Sequence, residues 1–368
     1  MKKNKNLTSA IICILVFFLG VGAMYALIYF FPTSLTTITT RVEKDVTVTD
    51  KGIADAVEKV YDSVVVVKTY KDNKVKSSGT GFVYKVEGKT AYILTNHHVI
   101  EGGDKIRVVF TNEKEEEVKI VGSNEYADVA LLSIDKDKIV AVAEIGNSEK
   151  LRVGDTAFAV GAPLDSAYSW SVTRGIISGK DRMVEVSLNN SNAADWIMSV
   201  LQTDAAINSG NSGGPLANSN GEVVGITSLK LVSSGIEGMG FAIPIETALE
   251  YANMFITGEE FVQPYLGASM LNVAEAGYYK EFAKYIEDYD SETGVLLAEI
   301  EDDSAAYKAG LKTGDIIVEL DNYEIKNFAY LRYYLYKYKA GDKVTIKYYR
   351  DGSLKEAKVK LTAKKDNN

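Results

Sequence analysis

From Ile53 onward the chain runs through short β-branched and aromatic stretches, each soon stopped by Gly, Asn or Asp. Val64 to Val67, Gly81 to Tyr84, Tyr92 to Thr95, Ile106 to Phe110, Val129 to Ile134, Thr156 to Val160, Ile197 to Gln202 and Val223 to Thr227 are the clearest. Residues of this kind fit a pleated, packed surface. Many short strands at such spacing predict a barrel or a sandwich, not βαβ units. With 368 residues the chain is long enough for two domains, each with its own core.

Within this β-rich region, Gln202 to Leu216 stands out. Its centre, Gly210-Asn211-Ser212-Gly213-Gly214-Pro215, puts one hydroxyl in a turn of small residues. Glycines allow strained dihedrals and close approach of a carbonyl, as a Ser nucleophile needs. They also leave backbone N–H groups able to face an oxygen that becomes negative. Gly210 to Gly214 fits Gly-x-Ser-x-Gly, but an α/β-hydrolase elbow needs a histidine after the serine. The two histidines of the chain, His97 and His98, both precede Ser212. A subtilisin order would need the acid before the histidine and a helix after the serine. Here Pro215 leads instead into Val223-Val224-Gly225-Ile226-Thr227, a turn and a strand.

The remaining order is His, Asp, Ser, as in chymotrypsin-like proteases. The base lies in Tyr92-Ile93-Leu94-Thr95-Asn96-His97-His98-Val99, where an apolar strand meets a polar break. The acid follows in Ala127-Asp128-Val129-Ala130-Leu131. A carboxylate opening an apolar strand is expected to be partly buried, and a buried carboxylate needs a partner. An imidazole is such a partner, and the carboxylate fixes its tautomer. Asp204 is a rival acid, read here as bonding the loop backbone. Residue chemistry alone does not choose between His97 and His98.

Thr95-Asn96-x-His98-Val99, Asp128-Val129-Ala130-Leu131 and Gly210-Asn211-Ser212-Gly213-Gly214-Pro215 together resemble the catalytic blocks of HtrA/Deg-type serine proteases. The resemblance runs from about residue 51 to the end. It assigns His98, Asp128 and Ser212 as the triad, and Gly210, Asn211 and Ser212 as the oxyanion-hole turn. It implies an all-β, trypsin-like double β-barrel over 51–258, followed by a small α+β PDZ domain over 259–368. Trypsin-like enzymes that cut after Lys or Arg carry an acid six positions before the nucleophile. Ala206 stands there, so cleavage after small or medium aliphatic residues is expected, with Ile207 and Phe241 bordering the pocket. Gly238 to Pro244 resembles the family's pocket strand. The resemblance further implies misfolded extracytoplasmic proteins as substrates in envelope quality control, and assembly as a homotrimer. No cofactor or metal is expected.

Pro244 to Ile256 has an amphipathic helical pattern, with Ile245, Ala248, Leu249, Ala252, Phe255 and Ile256 on one face, and makes a domain boundary before Gly258. Beyond it, Tyr265-Leu266-Gly267-Ala268, Gly294 to Leu297, Ala309 to Ile317, Val344 to Tyr349 and Ala357 to Leu361 carry the PDZ resemblance. Tyr265, Leu266, Gly267 and Ala268 would form the loop that captures a peptide's terminal carboxylate, while the peptide adds to a sheet edge. Tyr330, Tyr333, Tyr334, Tyr336 and Tyr338 are read as groove wall and surface. A module that merely packs on the protease is the alternative.

At the other end, Lys2, Lys3 and Lys5 precede an uncharged run from Ala10 to Phe31. As a helix that run is about 33 Å long, enough for a hydrocarbon core of roughly 30 Å. Its Leu, Ile, Val and Phe favour insertion by about 4 to 8 kcal/mol. The lysines hold residues 1–9 in the cytoplasm, which makes 10–31 a single-pass anchor and 32–50 a tether to extracytoplasmic domains. A cleaved signal peptide competes; Val21-Gly22-Ala23 is small enough for a cleavage site, but the apolar run continues past it. The lone cysteine, Cys13, lies in the span, so the fold relies on packing without an intrachain disulfide. A net charge of −9 argues against nucleic-acid binding. The charge run Glu113 to Glu117 is expected to be a solvated hairpin turn. A membrane-tethered PDZ adaptor with a non-catalytic barrel remains the alternative to an endopeptidase.

Overall fold

The computed structural model describes residues 3–30, 50–161, 170–186, 196–228, 238–259 and 262–364. The chain divides into two bodies, residues 1–48 and 49–368. The first holds helix α1 (Lys3–Phe30). Its apolar side chains are exposed on every side, from Ile11 and Phe17 to Tyr29. Such a helix has no polar face to give to water. Ser9–Ala26 is long and apolar enough to cross a membrane, a test that a signal sequence also passes. The tether expected over 32–50 lies outside the described residues apart from Asp50, where α2 (Asp50–Tyr61) begins.

In the second body, α2 buries Ala56 and Val60 and leads into six strands. They are β1 (Val64–Lys71), β2 (Lys74–Glu87), β3 (Thr90–Thr95), β4 (Lys105–Val109), β5 (Glu115–Asn124) and β6 (Val129–Asp135). Their order β1-β2-β3-β6-β5-β4 closes into a barrel through the β1–β4 pairing. The strands read as continuous apolar runs because both faces are covered. Val65, Val67, Val83, Ile93 and Leu132 fill the barrel. Their sequence neighbours Val64, Phe82, Leu94 and Leu131 pack outward against Phe158, Val160 and Ile226 of the next layer. Alternate residues of a strand point to opposite faces, so each run serves two cores. A short helix, α3 (His97–Ile100), follows β3.

The second layer uses β7 (Glu144–Ile145), β8 (Thr156–Gly161), β9 (Ser171–Val186), β10 (Trp196–Thr203), β11 (Pro215–Asn218), β12 (Glu222–Thr227) and β13 (Gly240–Pro244). Their order is β11-β8-β9-β10-β13-β12-β7, and a further β11–β12 pairing joins the six antiparallel strands into a ring. Helix α4 (Ile245–Thr257) then buries Ile245, Ala248 and Ala252 and ends at Gly258 in the left-handed region. Its Phe255 ring lies where a Cβ on Gly122 would stand, 2.6 Å away.

The remaining region forms an α+β module. A sheet of β15 (Ala268–Asn272), β16 (Val295–Ile300), β17 (Ile316–Leu320), β19 (Lys343–Arg350) and β20 (Ser353–Lys360) has β18 (Tyr323–Glu324) attached to β17. β14 (Pro264–Tyr265) pairs with β21 (Thr362–Ala363). Four helices complete it: α5 (Val273–Ala276), α6 (Lys280–Ala283), α7 (Ala305–Lys308) and α8 (Phe328–Leu335). Leu331 and Leu335 of α8 close its core over Leu297, Ile317 and Ile346.

Two expectations need adjusting. Only the start of the Glu113–Glu117 run is a turn, with Glu113 at φ +63°; Glu115 to Glu117 open β5. They fit a strand because Arg107, Lys105 and Lys138 offer opposite charges at 3.1, 2.8 and 2.6 Å, and cross-strand ion pairs favour sheets. The tyrosines in and after α8, expected as groove wall and surface, include two that also pack on the first domain. Tyr333 and Tyr336 pack on Trp196 of β10, at ring separations of 6.2 and 5.2 Å.

Candidate active site

His98 is presented by α3, which follows the buried Thr95 at the end of β3 and the buried Asn96 at the helix N-cap. Asp128 lies in the turn of the β5–β6 hairpin, where Asn124 pairs with Val129. The Asn124 side chain accepts the Ala127 N–H at 2.9 Å, and Asp128 takes φ +52°, a left-handed conformation that Asp tolerates better than most residues. The turn is tied to the histidine segment by the Asn96 side-chain amide, which donates to the Asp128 carbonyl at 2.9 Å.

The Asp128 carboxylate is fully buried and receives three donors. His98 Nδ1 lies 2.9 Å from both carboxylate oxygens. The His98 backbone N–H donates to Oδ1 at 3.1 Å, and Ser228 Oγ donates to Oδ2 at 2.9 Å. A buried charge is tolerable only when paired and bonded in this way. With Nδ1 facing the carboxylate, the proton of a neutral imidazole belongs on Nδ1, which leaves Nε2 as acceptor. The His98 side chain keeps 27% of its surface accessible. His97 turns elsewhere, its Nδ1 lying 3.1 Å from Ser123 Oγ.

Ser212 is 5% exposed, in the turn before β11. Gly213 has φ +86°, and a Cβ there would lie 2.1 Å from the Thr80 carbonyl, 2.3 Å from Thr95 Oγ1 and 3.1 Å from Asn96 N. Only glycine lets this turn seat against the histidine segment. Gly79 on β2 separates the two halves closely: its missing Cβ would be 2.7 Å from Val99 and 3.0 Å from the Ser212 carbonyl. Thr80 then clamps the turn, donating from N to the Ser212 carbonyl at 2.8 Å and from Oγ1 to the Gly210 carbonyl at 2.6 Å. Gly210 has φ +102°. The Asn211 N–H is engaged by the Asn208 carbonyl at 3.0 Å, so Asn211 shapes the turn. Its side chain donates to the Ala206 carbonyl at 3.3 Å, and its Oδ1 is buried with no hydrogen-bond partner among the described residues.

The residues expected around the substrate pocket separate. Ala206 is exposed, and its carbonyl also accepts from Thr173 Oγ1 at 2.9 Å. Ile207 is buried against Gly240, in the cluster with Leu201, Leu216 and Val224. Phe241 belongs to the other face of its strand and to the cluster holding Val200 and Ile226. Asp204 accepts the Ile176 N–H at 2.6 Å. Ser228 escaped the sequence reading. It follows a β run with no motif of its own, and only the fold brings it to a carboxylate a hundred positions away.

In the C-terminal module, Leu266 is buried and its carbonyl accepts the Ala306 N–H at 2.8 Å. Gly267 has φ +77°, with Ser304 Cβ only 2.2 Å from where its Cβ would be. The Tyr265 hydroxyl bonds Glu301, and burial together with that carboxylate pushes the phenol up to about 12. Ala268 opens the edge strand β15. Between this loop and α8 lies a cleft of about 110 Å³, lined among others by Leu266, Met270, Leu331, Leu335, Gln263 and Tyr336.

Residues 79–226 match the profile of the trypsin-like peptidase domain, and residues 264–361 match that of the PDZ domain. The chain is 41% identical to the serine protease Do-like HtrA of Bacillus subtilis over 291 residues, covering 78% of this chain and 64% of that protein. It is 37% identical to Bacillus subtilis HtrB, covering 84% and 71% respectively. It is 33% identical to Lactococcus lactis HtrA, covering 90% and 86%. Among solved structures, the HtrA-type protease AlgW bound to a decapeptide superposes with a TM-score of 0.65 at 28% identity, over 85% of this chain and 99% of that one. The serine endoprotease of Yersinia pestis gives 0.63 at 27%, over 85% and 98%. A trypsin-like double barrel followed by one PDZ domain, with relatives of this kind, establishes that the chain belongs to the HtrA family of serine proteases.

Proposed function

We propose that Ser212, His98 and Asp128 form the catalytic triad of this serine endopeptidase. The observation that carries the reading is the buried Asp128 carboxylate gripping His98 Nδ1 while the Ser212 turn packs against the segment that bears His98. Ser212 Oγ attacks the scissile carbonyl carbon as His98 Nε2 takes its proton. The resulting oxyanion sits before the N–H groups of Gly210 and Ser212. Collapse expels the amine, which receives the proton from His98. Water then repeats the sequence on the acyl-enzyme, releasing the acid and restoring Ser212. Asp128 stays ionised throughout and favours the imidazolium. Uncharged Ala206 fits cleavage after small or medium aliphatic residues.

The protease domain spans 51–258 and the PDZ domain 259–368 in this reading. The PDZ cleft takes C-terminal peptides, which add to β15 while the loop from Tyr265 to Ala268 holds the carboxylate. α1 anchors the enzyme in the cell membrane with both domains outside. There it degrades misfolded extracytoplasmic proteins, working as a homotrimer. Ser212→Ala in the full-length protein should abolish casein cleavage and labelling by a fluorophosphonate. Casein turnover by a folded Ser212→Ala protein at more than about a thousandth of the original rate sinks the assignment, because losing the nucleophile alone costs about 10⁶-fold.

A further inference from the structure

Helix α3, which bears His98, has four residues, and the last four carbonyls of a helix find no partner within it. Its first residues are held from the acid side. Asp128 accepts the His98 N–H, and the Asn96 side chain donates to the Asp128 carbonyl. Its far end is held from the opposite direction. The Val99 carbonyl, one residue past His98, accepts from Thr69 Oγ1 at 2.8 Å and from Ser77 Oγ at 2.7 Å. The Glu101 carbonyl accepts from Lys76 Nζ at 2.8 Å. Gly102, at φ +64°, leaves room for that ammonium, since a Cβ there would lie 2.3 Å from Nζ.

All three donors come from β1 and β2, and an irregularity between these strands brings them together. Thr69 pairs with Ser77 but Tyr70 pairs with Val75, so Lys76 is an extra residue in β2. In a regular strand Lys76 and Ser77 would point to opposite faces. The bulge re-aims them, and both reach the segment that follows His98. Thr69 is fully buried, where a hydroxyl is tolerated only when bonded. A carbonyl oxygen has two lone pairs, and two donors on the Val99 oxygen fix the plane of its peptide as well as its position. Catalytic groups lose rate steeply when misplaced by about 1 Å. We infer that Thr69, Ser77 and Lys76 are positioning residues for His98: the bulged β1–β2 pair fixes the last peptides of α3, so that Nε2 is aimed at Ser212 while Asp128 holds Nδ1. This rests on the reading of His98 as the general base.

The test is steady-state kinetics on the full-length protein with an uncharged peptide substrate, with melting temperatures recorded for every variant. Thr69→Val keeps the shape of the side chain and removes its hydroxyl. It and Ser77→Ala should each lower kcat about threefold with KM within about twofold, and Thr69→Ser should keep most of kcat. The double variant should lose about thirtyfold, more than the product of the two singles, because only then is the Val99 carbonyl left without a side-chain donor. The rate of labelling by a fluorophosphonate, which also needs the base, should fall in the same order. Thr111→Val removes a hydroxyl that bonds Asp62, away from α3, and should leave kcat unchanged. If Thr69→Val fails to fold, Ser77→Ala combined with Lys76→Met takes its place and should lower kcat more than Ser77→Ala alone. Unchanged kcat in a folded double variant, a loss confined to KM, or an equal loss in Thr111→Val overturns the inference. His98→Ala separates the two readings. A fully active His98→Ala ends the assignment of the base, whereas a dead His98→Ala beside an unaffected double variant ends only this inference.

Discussion

Ser228 lies outside every motif, yet under the proposed triad it would bear on the reaction. It supplies the one side-chain hydroxyl donor to the buried Asp128 carboxylate among the described residues, at 2.9 Å. Removing that donor leaves Oδ2 facing His98 Nδ1 alone. A hydrogen bond to a charged group contributes about 1.5–3 kcal/mol, and part of that shapes how well the carboxylate supports a forming imidazolium. Ser228→Ala is expected to lower kcat about tenfold with KM nearly unchanged, and Ser228→Thr to restore most of it. Both are checked by initial rates on a peptide substrate, and a Ser228→Ala enzyme with unaltered kcat would be inconsistent with this role. The order of His98, Asp128 and Ser212 could be read from the sequence because each sits at a strand end or a glycine turn that announces itself. Ser228 could not, since it meets its partner only when strands far apart in the chain close into two layers.

Among elements, the legible ones were those whose chemistry is local. The apolar centres of β1, β3, β6, β8, β10 and β12, and the amphipathic α4, follow from residue type and period. β5 and β9 did not stand out, because Glu115 to Glu117 and the exposed Arg174, Asp181 and Arg182 interrupt any apolar run. Their strand state comes from partners on either side. The same holds in the PDZ sheet, where Asp315 sits buried at the entrance to β17. Arg350 at the end of β19 reaches it with two bonds, at 2.6 and 2.7 Å, and the Asp315 side chain also accepts the Lys312 N–H at 2.8 Å. The bonded carboxylate outweighs the loss of hydration and raises the guanidinium further above its usual range. Arg350→Leu strands a buried charge and should destabilise the PDZ domain by about 3 kcal/mol. Adding Asp315→Leu should recover much of that loss. Calorimetric melting of the full-length variants checks both, and a double variant no more stable than the single would refute the ion-pair account.

At the scale of the whole molecule, two kinds of apolar surface have to be covered. Trp196, Tyr126, Tyr333 and Tyr336 cover one another where the PDZ helix α8 meets β10. The apolar side chains of α1, by contrast, stand 47–73% exposed from Ile11 to Phe30. Folding of the other body cannot offset that exposure, because a helix without a polar face finds no orientation that hides it in water. In the anchored arrangement proposed above, lipid covers it and the lysines before it keep the N-terminal end inside. Processing after Val21-Gly22-Ala23 would leave Met24 to Phe30 at the new N-terminus, with Met24, Tyr25, Tyr29 and Phe30 still exposed. Retention of the whole helix is therefore the expected outcome. Intact-mass analysis of the protein from its own membranes should find the N-terminal residues present, and alkaline carbonate should fail to extract it. Deleting residues 1–31 should move the protein to the soluble fraction with its peptidase activity preserved. A mature chain that begins near Met24 and appears in the medium would show that α1 directs export and does not anchor.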